Sequence, residues 1–346
     1  METVSKVTTK QGDRGAAKPA WYDEVKVFEK PILGKAIWQL INTLVPYGVV
    51  WFLAIRTVQS GYSYWVTLPL VVILACLMVR IFIFFHDCTH GSFFASRKAN
   101  TIVGYVTGIL TFTPFEEWRR THGIHHSTAG DLDRRGVGDV WTMTLEEYRA
   151  ASKWQQFVYR FYRNPFTLLF FGPVATFLIA QRFPKSSMPR KSHISIHITN
   201  VALAFILVVA HFTIGLRTYF LIKIVAMWIA GAMGIWLFYV QHQYEDVVWT
   251  RHEAWSPIHT ALHGSSFYRL PRVLQWISGN IGFHHIHHVR ARIPNYRLEE
   301  AYKAIPGLRE VKPITLWASR RSLFLNLWDE QAGRLVSFRE VKRLVA

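Results

Sequence analysis

Four long apolar stretches organise the chain. They cover residues 36–55, 64–85, 194–215 and 219–241, and each approaches or exceeds the roughly 20 apolar residues that cross a hydrocarbon layer. The connections after the first and third stretches are short, so the four stretches pair into two hairpins. This pattern predicts four transmembrane helices, and an even number returns the chain to its starting side.

Two shorter apolar stretches, residues 101–115 and 165–180, are interrupted by Gly, Pro and Thr. Their length and interruptions favour re-entrant or interface-lying helices over full crossings. A full crossing by either one would place the histidine motifs described below on opposite sides of the membrane.

The polar segments complete the predicted architecture. Residues 1–35 form an N-terminal tail, and residues 36–346 form a single membrane domain. Within that domain, residues 86–193 and 242–346 form a helical cap on one side of the spans. The predicted fold class is therefore an all-α integral membrane protein with four spans in two hairpins, interfacial helices and a cap.

The positive charges predict the orientation. Seven Lys and Arg residues precede the first stretch, 14 lie between the second and third, and 15 follow the fourth, whereas the two hairpin turns contain only Arg56 and Arg217. The positive-inside rule then places both termini and the cap in the cytoplasm. Arg80, inside the second stretch, lies close enough to its cytoplasmic end for the side chain to reach the interface.

Composition supports a membrane protein and argues against other classes. Hydrophobic residues make up 51% of the chain, aromatic residues 15%, and the mean hydropathy is +0.13. A net charge of +18 would suit nucleic acid, but the positive residues flank the apolar stretches, where anionic lipid headgroups attract them. No nucleic-acid partner is expected. The two cysteines imply no disulfide framework, and the polar N-terminus does not resemble a cleaved signal peptide.

Three histidine motifs carry the candidate chemistry. The first is HDCTH, in which His86 and His90 are four residues apart at the end of the second stretch. The other two motifs share the spacing i, i+3 and i+4, and consist of His122, His125 and His126, and of His284, His287 and His288. On a helix, each spacing sets its imidazoles on one face. Each of the latter two motifs is therefore expected to present three nitrogens to one point.

Eight such imidazoles exceed the needs of one metal ion. A structural zinc takes four ligands and a catalytic zinc usually three from the protein, so eight or nine converging histidines imply two metals of higher coordination number. His242, directly after the fourth stretch, is the candidate for a ninth ligand. The alternative for His242 is a histidine at a helix end that bonds to headgroups or a backbone carbonyl.

The remaining histidines are expected to serve other purposes. The isolated pairs His193 with His197 and His259 with His263 suit an interfacial or surface role, and His211 lies toward the opposite end of its span. A further histidine, His285, falls between ligand positions and would point away from them, which suits a supporting or surface role.

Acidic residues near the motifs are candidates to orient the ligands, because metal-bound histidine usually donates its other ring N–H to a carboxylate or carbonyl. For any one of them, an exposed charge or a helix cap is the favoured interpretation. The candidates are Asp87, Glu116, Glu117, Asp131, Asp133, Asp139, Glu245 and Asp246.

At these motifs the chain resembles the membrane fatty acid desaturases, and more narrowly the bacterial acyl-lipid desaturases of the delta-5 and delta-12 kind. The matching strings are HDCTHGSFF from His86, THGIHH from Thr121 with the DLDRRGVGDVW that follows it, FYVQHQYED from Phe238, and GSSFYRLPRVLQWISGNIGFHHIHHVRARIPNY from Gly264. The likeness runs from about Ala36 to Phe338.

The resemblance implies a site and a reaction. The family's three-motif ligands fall on His86, His90, His122, His125, His126, His284, His287 and His288, and a histidine after the last span supports His242 as a ninth. It further implies two irons, dioxygen as co-substrate, and electrons from a ferredoxin or similar carrier. The haem-binding HPGG motif of a fused cytochrome b5 module is absent, so the donor is expected to be a separate protein.

The expected function is therefore dioxygen-dependent introduction of a cis double bond into a fatty-acyl chain, lipid-linked, in a bacterial inner membrane. Hydroxylation, ketolation or triple-bond formation on the same scaffold is the nearest alternative. A metal transporter would place its ligands near the bilayer midplane, whereas these motifs lie at span ends or beyond. A zinc-dependent hydrolase would need fewer histidines, and a non-enzymatic scaffold would leave them unexplained.

Overall fold

The structure is a computed structural model and describes residues 18–345. The helices, in chain order, are α1 (Leu33–Gln59), α2 (Tyr64–His90), α3 (Arg97–Leu110), α4 (Phe115–Thr128), α5 (Leu145–Ala150), α6 (Lys153–Tyr162), α7 (Arg190–Thr213), α8 (Leu216–His242), α9 (Pro257–His263), α10 (Arg272–Ile277), α11 (His284–Val289), α12 (Asn295–Ala304) and α13 (Phe338–Val345). The strands are β1 (Phe267–Arg269), β2 (Pro313–Thr315), β3 (Leu327–Asp329) and β4 (Arg334–Val336).

Helices α1, α2, α7 and α8 are the four predicted spans. Each is long and apolar enough to cross a membrane, so the described chain is an all-α integral membrane fold. The helices extend past the predicted bounds because helical geometry continues beyond the apolar stretch itself. In particular, α2 runs through the first histidine motif and ends where Gly91 adopts φ +66°, a conformation that favours glycine.

The four spans surround a small apolar core and expose apolar side chains outward. Buried residues of α1, α2 and α8, among them Tyr47, Leu74 and Ile222, form the core together with Phe112. On the outer surfaces of α1 and α7, Phe52 is 61% exposed and Phe212 is 79% exposed. An apolar exterior of this kind suits contact with lipid and not with water.

Helices α3 and α4 form a hairpin that reaches into the level of the spans and returns. Its tip is the break between Leu110 and Phe115, where Phe112 has φ +59°. The two helices approach closely at Gly104, where a Cβ would lie 2.2 Å from Cε2 of Phe115. Because α4 carries its histidines back to the end of α2, this segment is the re-entrant element that the sequence predicted.

The second interrupted stretch is also bent. Residues Thr167–Phe171 and Val174–Ile179 are π-helical, Ala180–Arg182 is a 3-10 turn, and the whole segment makes an angle of 65° with α6. It ends beside the tip of the α3–α4 hairpin, because Arg182 donates hydrogen bonds to the carbonyl of Phe112 and to Asn200. The segment therefore turns back at that level, in agreement with a re-entrant element.

The cap contains short helices and two small sheets. Strands β1 and β2 pair in parallel, and β3 and β4 pair antiparallel. Of the predicted N-terminal tail, residues 1–17 lie outside the described residues, and the described part is folded on the cap. Val25 is fully buried in a cluster with Phe267 and Phe283, and Trp21 lies against Gly307.

Candidate metal centre

Four helices deliver nine histidines to one place at the cap end of the spans. Helix α2 supplies two histidines, α4 and α11 supply three each, and His242 is the last residue of α8. The candidate ligand nitrogens group into two sets, and within each set they lie within 4.8 Å of one another. The five-histidine set is His86, His90, His122, His126 and His287, and the four-histidine set is His125, His242, His284 and His288.

Helical spacing explains how each motif divides between the two sets. In α4, His122 and His126 are one turn apart and face the five-histidine set, whereas His125 faces the other set. In α11, His284 and His288 likewise face the four-histidine set, and His287 faces the first. Each of these motifs therefore contributes to both sets, which brings the two sets side by side. The expectation that each motif presents three nitrogens to one point is wrong, because positions i+3 and i+4 differ by about 100° around a helix.

The distances between the nitrogens fit metal ions of high coordination number. In the five-histidine set, Nε2 of His126 lies 3.0 Å from Nε2 of His122 and 2.9 Å from Nε2 of His287. In the other set, Nε2 of His242 lies 2.9 Å from that of His284 and 3.1 Å from that of His125. Ligands about 2.1 Å from a metal lie about 3.0 Å apart at right angles and about 3.4 Å apart in a tetrahedron. The spacing favours right angles and hence five or six ligands.

Buried nitrogens without a partner point to the same conclusion. Nε2 of His86 and Nε2 of His90 are buried and accept no hydrogen bond from the described residues. A buried polar atom without a partner costs about 1–3 kcal/mol. A metal ion among the five rings would remove this cost.

The ring nitrogens are in the form that binds metals. Burial lowers the pKa of His122, His126, His284, His287 and His288 well below the ordinary value of 6.5, and the neighbouring histidines lower it further. These imidazoles are therefore neutral near pH 7. Neutral imidazole is the donor that iron, zinc and copper accept.

Two carboxylates orient candidate ligands by contact with the Nδ1 atoms of the histidine rings. Oδ1 of Asp87 lies 3.1 Å from Nδ1 of His86, and its Oδ2 accepts hydrogen bonds from the backbone and side-chain nitrogens of Asn295 at 2.7 Å and 2.9 Å. Asp139 accepts a hydrogen bond from Nδ1 of His125. Such bonds fix the tautomer and the direction of a ligand ring.

A backbone carbonyl orients His242 in the same way. Its Nδ1 donates to the carbonyl of Gly264 at 3.2 Å, while its Nε2 points at the four-histidine set. Both expectations for His242 are therefore met. Its Nδ1 bonds to a backbone carbonyl at a helix end, and its Nε2 lies beside the other candidate ligands.

The other acidic candidates form ion pairs away from the ligands. Glu116 and Glu117 each form an ion pair with an arginine of α4, and the rest form ion pairs with arginines, a lysine or a histidine in the cap. The partners are Arg119 and Arg120 for these two, Arg134 and His252 for Asp131, Arg251 for Asp133, Arg321 for Glu245 and Lys312 for Asp246.

The remaining histidines lie outside both sets. His193 bonds to the carbonyl of Lys185, and the other members of the two isolated pairs, like His211, are exposed. His285 points away from the sets, as expected, but it is fully buried and its Nε2 contacts the carbonyl of Leu308. The surface role considered for His285 is therefore wrong, because α11 packs against the 3-10 turn that contains Leu308 and covers this face.

Two further residues of the site were not identified from the sequence. The indole of Trp118 stacks on His122 with ring centroids 4.1 Å apart and contacts His86 edge-on. Trp118 lies four residues before His122, so helical spacing could have placed it on the ligand face. Asn295, which anchors Asp87, carries no comparable signal because the contact spans 208 residues.

An apolar cavity of about 570 Å³ borders both sets. His86 and His122 of the first set and His284 of the second line it, together with Asp139 and Trp118. Most of its other walls are apolar side chains of α2, α8 and residues 167–182, including Phe82, Ile83, Leu168, Phe171, Phe177, Met227, Ile235 and Phe238. The cavity has the shape and chemistry to hold a hydrocarbon chain against the histidines.

Comparison with known proteins agrees with this geometry. Residues 63–318 match the family described as Fatty acid desaturase. Over 321 residues the chain is 43% identical to a protein named fatty acid desaturase from Bacillus subtilis (strain 168), covering 93% of this chain and 91% of that protein. It is 25% identical over 284 residues to the sn-1 oleoyl-lipid 12-desaturase of Anabaena variabilis, covering 78% and 76%. It is also 25% identical over 348 residues to the sn-1 acyl-lipid omega-3 desaturase (ferredoxin) of Nostoc sp. (strain 36), covering 95% and 88%.

Proposed function

The chain belongs to the fatty acid desaturase family of oxidoreductases, and we propose that it introduces a cis double bond into lipid-linked fatty-acyl chains in a dioxygen-dependent reaction. We further propose that two iron ions occupy the two histidine sets, with all nine histidines as ligands. The observation that carries this proposal is the contact of both sets with one apolar cavity.

The chemistry explains why metals are needed. An unactivated C–H bond has no acidic proton for a general base, so the two irons would supply, from dioxygen and donated electrons, the oxidant that removes hydrogen. The residues of the chain hold the reaction geometry. Asp87 and Asp139 direct their histidines, and Trp118 packs against the cavity side of His122.

The cavity walls orient the substrate and exclude water. Because most of the lining side chains are apolar, an acyl chain is held by packing along its length, with one pair of methylenes beside the histidines. Exclusion of water also protects a reactive site from side reactions. No general acid or base beyond the metal ligands is required by this arrangement.

Exposed aromatic side chains in the cavity wall support a lipid-linked substrate. Phe161 and Phe171 line the cavity and are 56% and 48% exposed, so it is reached between α6 and the π-helical segment. On α6, Trp154 and Phe157 are 70% and 57% exposed on the same face as Phe161. Aromatic side chains on such a helix suit the membrane interface, where an acyl tail of a membrane lipid enters without crossing water.

Electrons are proposed to come from a separate ferredoxin-like carrier. Three candidate ligands, His90, His126 and His288, are partly exposed, and their rings lie in contact with one another. The site is therefore closest to solvent along this edge. The name of the Nostoc relative includes ferredoxin, in agreement with such a donor.

The orientation is proposed from the charge distribution. Both termini and the cap, with the metal centre, would face the cytoplasm of a bacterial inner membrane, because the Lys and Arg residues are concentrated there. Residues 36–346 are proposed to act as one unit, since the histidines of the centre come from α2, α4, α8 and α11 together.

Expression in a bacterium that lacks its own desaturase tests the proposed function. Mass spectrometry of the extracted lipids should show acyl chains that have lost two hydrogens, and His287→Ala should show none. A product that instead gains one oxygen would identify a hydroxylase on the same scaffold. Unchanged lipids with correctly inserted, iron-loaded protein and a supplied electron donor would contradict the proposal.

A further inference from the structure

A buried lysine lies within the fourth span. Lys223 of α8 is only 5% exposed, and no carboxylate among the described residues lies within ion-pair distance of its Nζ. Ionisable side chains inside a membrane are costly and usually mark a functional feature. The metal centre does not use this one, because His242 lies 19 residues further along the same helix.

The lysine binds the tip of the α3–α4 hairpin. Its Nζ donates to the carbonyl of Leu110 at 2.7 Å, lies 3.3 Å from the hydroxyl of Tyr47 and 3.7 Å from Sδ of Met78. It also lies 5.1 Å from the ring centroid of Phe112. One side chain thus joins α1, α2, α8 and the hairpin tip.

The tip needs these donors because its backbone is not helical. Peptide groups at membrane depth must find partners within the protein. Lys223 satisfies the carbonyl of Leu110, and Arg182 satisfies the carbonyl of Phe112. Two cations from different elements therefore hold the turn that contains Thr111.

The same place is the deep end of the cavity. On α2 the lining begins at Met78, about 12 Å before His86 at a rise of 1.5 Å per residue. On α8 the lining begins at Met227, one turn after Lys223. Thr111 of the hairpin tip completes the lining at this end. Lys223 contacts Met78 and the tip but is not itself among the residues that line the cavity.

We propose that Met78, Met227 and Thr111 form the floor of the acyl cavity, and that Lys223 holds this floor in place. The floor limits how far the methyl end of the chain can descend. It therefore sets the largest number of carbons that can lie between the new double bond and the methyl end. This inference rests on the proposed desaturase function, and it names the residues that determine which acyl chains are accepted.

Substitutions of Met227 in both directions test the floor. Cells that express the wild type are supplied with saturated fatty acids of increasing length. In their products, the number of carbons between the new double bond and the methyl end should have an upper limit. Met227→Ala should raise that limit by at least one carbon, and Met227→Phe should lower it. Met233→Ala is the matched control, because Met233 packs on the same core from α8 without lining the cavity, and it should leave the limit unchanged.

Lys223→Met tests the role of the lysine as a positioning residue. The new side chain fills similar space but removes the hydrogen bond to the tip. The largest number of carbons between the new double bond and the methyl end should therefore rise, or become less sharply defined, while iron content is retained. An unchanged limit in folded, iron-loaded Lys223→Met would refute the role of Lys223. If this variant does not fold, the two Met227 variants still decide whether the floor exists.

The outcomes separate this inference from the proposed function. If the wild type makes no double bonds, the proposed function fails. If the wild type desaturates but Met227→Ala and Met227→Phe give the wild-type product distribution, only the floor is wrong.

Discussion

Replacement of Asp139 by asparagine isolates the contribution of one carboxylate to the metal centre. Asp139 is nearly buried and accepts a hydrogen bond from Nδ1 of His125, and its other oxygen accepts a weaker one from the backbone of Gly136 at 3.3 Å. An asparagine side chain at this position has nearly the same shape but no charge. It would therefore hold His125 less firmly, and Nε2 of His125 would become a weaker electron-pair donor to a metal ion.

The expected magnitude follows from this geometry. Loss of such an outer partner typically weakens metal affinity or activity about 10- to 100-fold, which corresponds to about 1.4–2.7 kcal/mol. The free energy of unfolding should change less, because among the described residues the side chain of Asp139 has hydrogen bonds only with His125 and with the backbone of Gly136 in its own loop. Asp87 makes a poorer test, since its removal would also release both nitrogens of Asn295.

Competition with a chelator in detergent solution measures the affinity. Asp139→Asn should lose one iron at a chelator concentration about 10- to 100-fold lower than the wild type, and turnover should fall in parallel. Asp133→Asn is the control, because Asp133 pairs with Arg251 and touches no candidate ligand. Wild-type iron retention and turnover in Asp139→Asn would refute the reasoning that this carboxylate supports the four-histidine set.

Three further predictions concern other parts of the molecule. His125→Ala or His287→Ala should abolish desaturation in a lipid assay and leave membrane insertion intact, whereas His259→Ala should remain active; full iron and turnover in His287→Ala would show that the ligand set is wrong. Gly104→Ala should lower the melting temperature, because its Cβ would overlap Phe115, whereas exposed Gly48, with open space at its Cβ, should accept Ala without loss. Burial opposes ionisation of Asp131, but hydrogen bonds from Arg134 and His252 lower its pKa below the ordinary value of 3.8. The ionised carboxylate therefore stabilises the fold above pH 3.8, and this stability is lost as the pH falls through the pKa of the folded state. Melting in acid should therefore depend less steeply on pH in Asp131→Asn than in the wild type.

Periodic and local features of the sequence predicted most of the architecture. Apolar length identified the four spans, because it depends only on neighbouring residues. The spacing i, i+3 and i+4 placed the histidines of the second and third motifs close together on a helix, but it did not show that each motif divides between two sets. The helical continuation of α2 through His86 and His90 followed from the same reasoning and is confirmed.

Features that depend on distant contacts could not be predicted in this way. The sequence offered eight acidic candidates of equal standing, and only the fold shows that Asp87 and Asp139 contact candidate ligands while the others form ion pairs. The burial of His285 depends on Leu308, and the folding of Val25 onto the cap depends on Phe267 and Phe283. Each of these contacts joins segments that are far apart in the chain.

The lysine of the fourth span shows the same limit of local patterns. Within the sequence, Lys223 is one charge in an apolar helix, without an indication of its partner. Its structural role follows from its hydrogen bond to the carbonyl of Leu110, which is 113 residues away and lies at the turn of a re-entrant hairpin. Tertiary packing therefore decides whether such a charge is an anchor or a ligand.

The proposed function depends most directly on two metal ions held by the nine histidines. Anomalous diffraction from crystals of the purified protein, recorded on both sides of the iron absorption edge, locates them. The expected result is two iron peaks, one among His86, His90, His122, His126 and His287 and the other among His125, His242, His284 and His288. A single zinc peak, or iron bound away from these rings, would contradict the proposed di-iron centre.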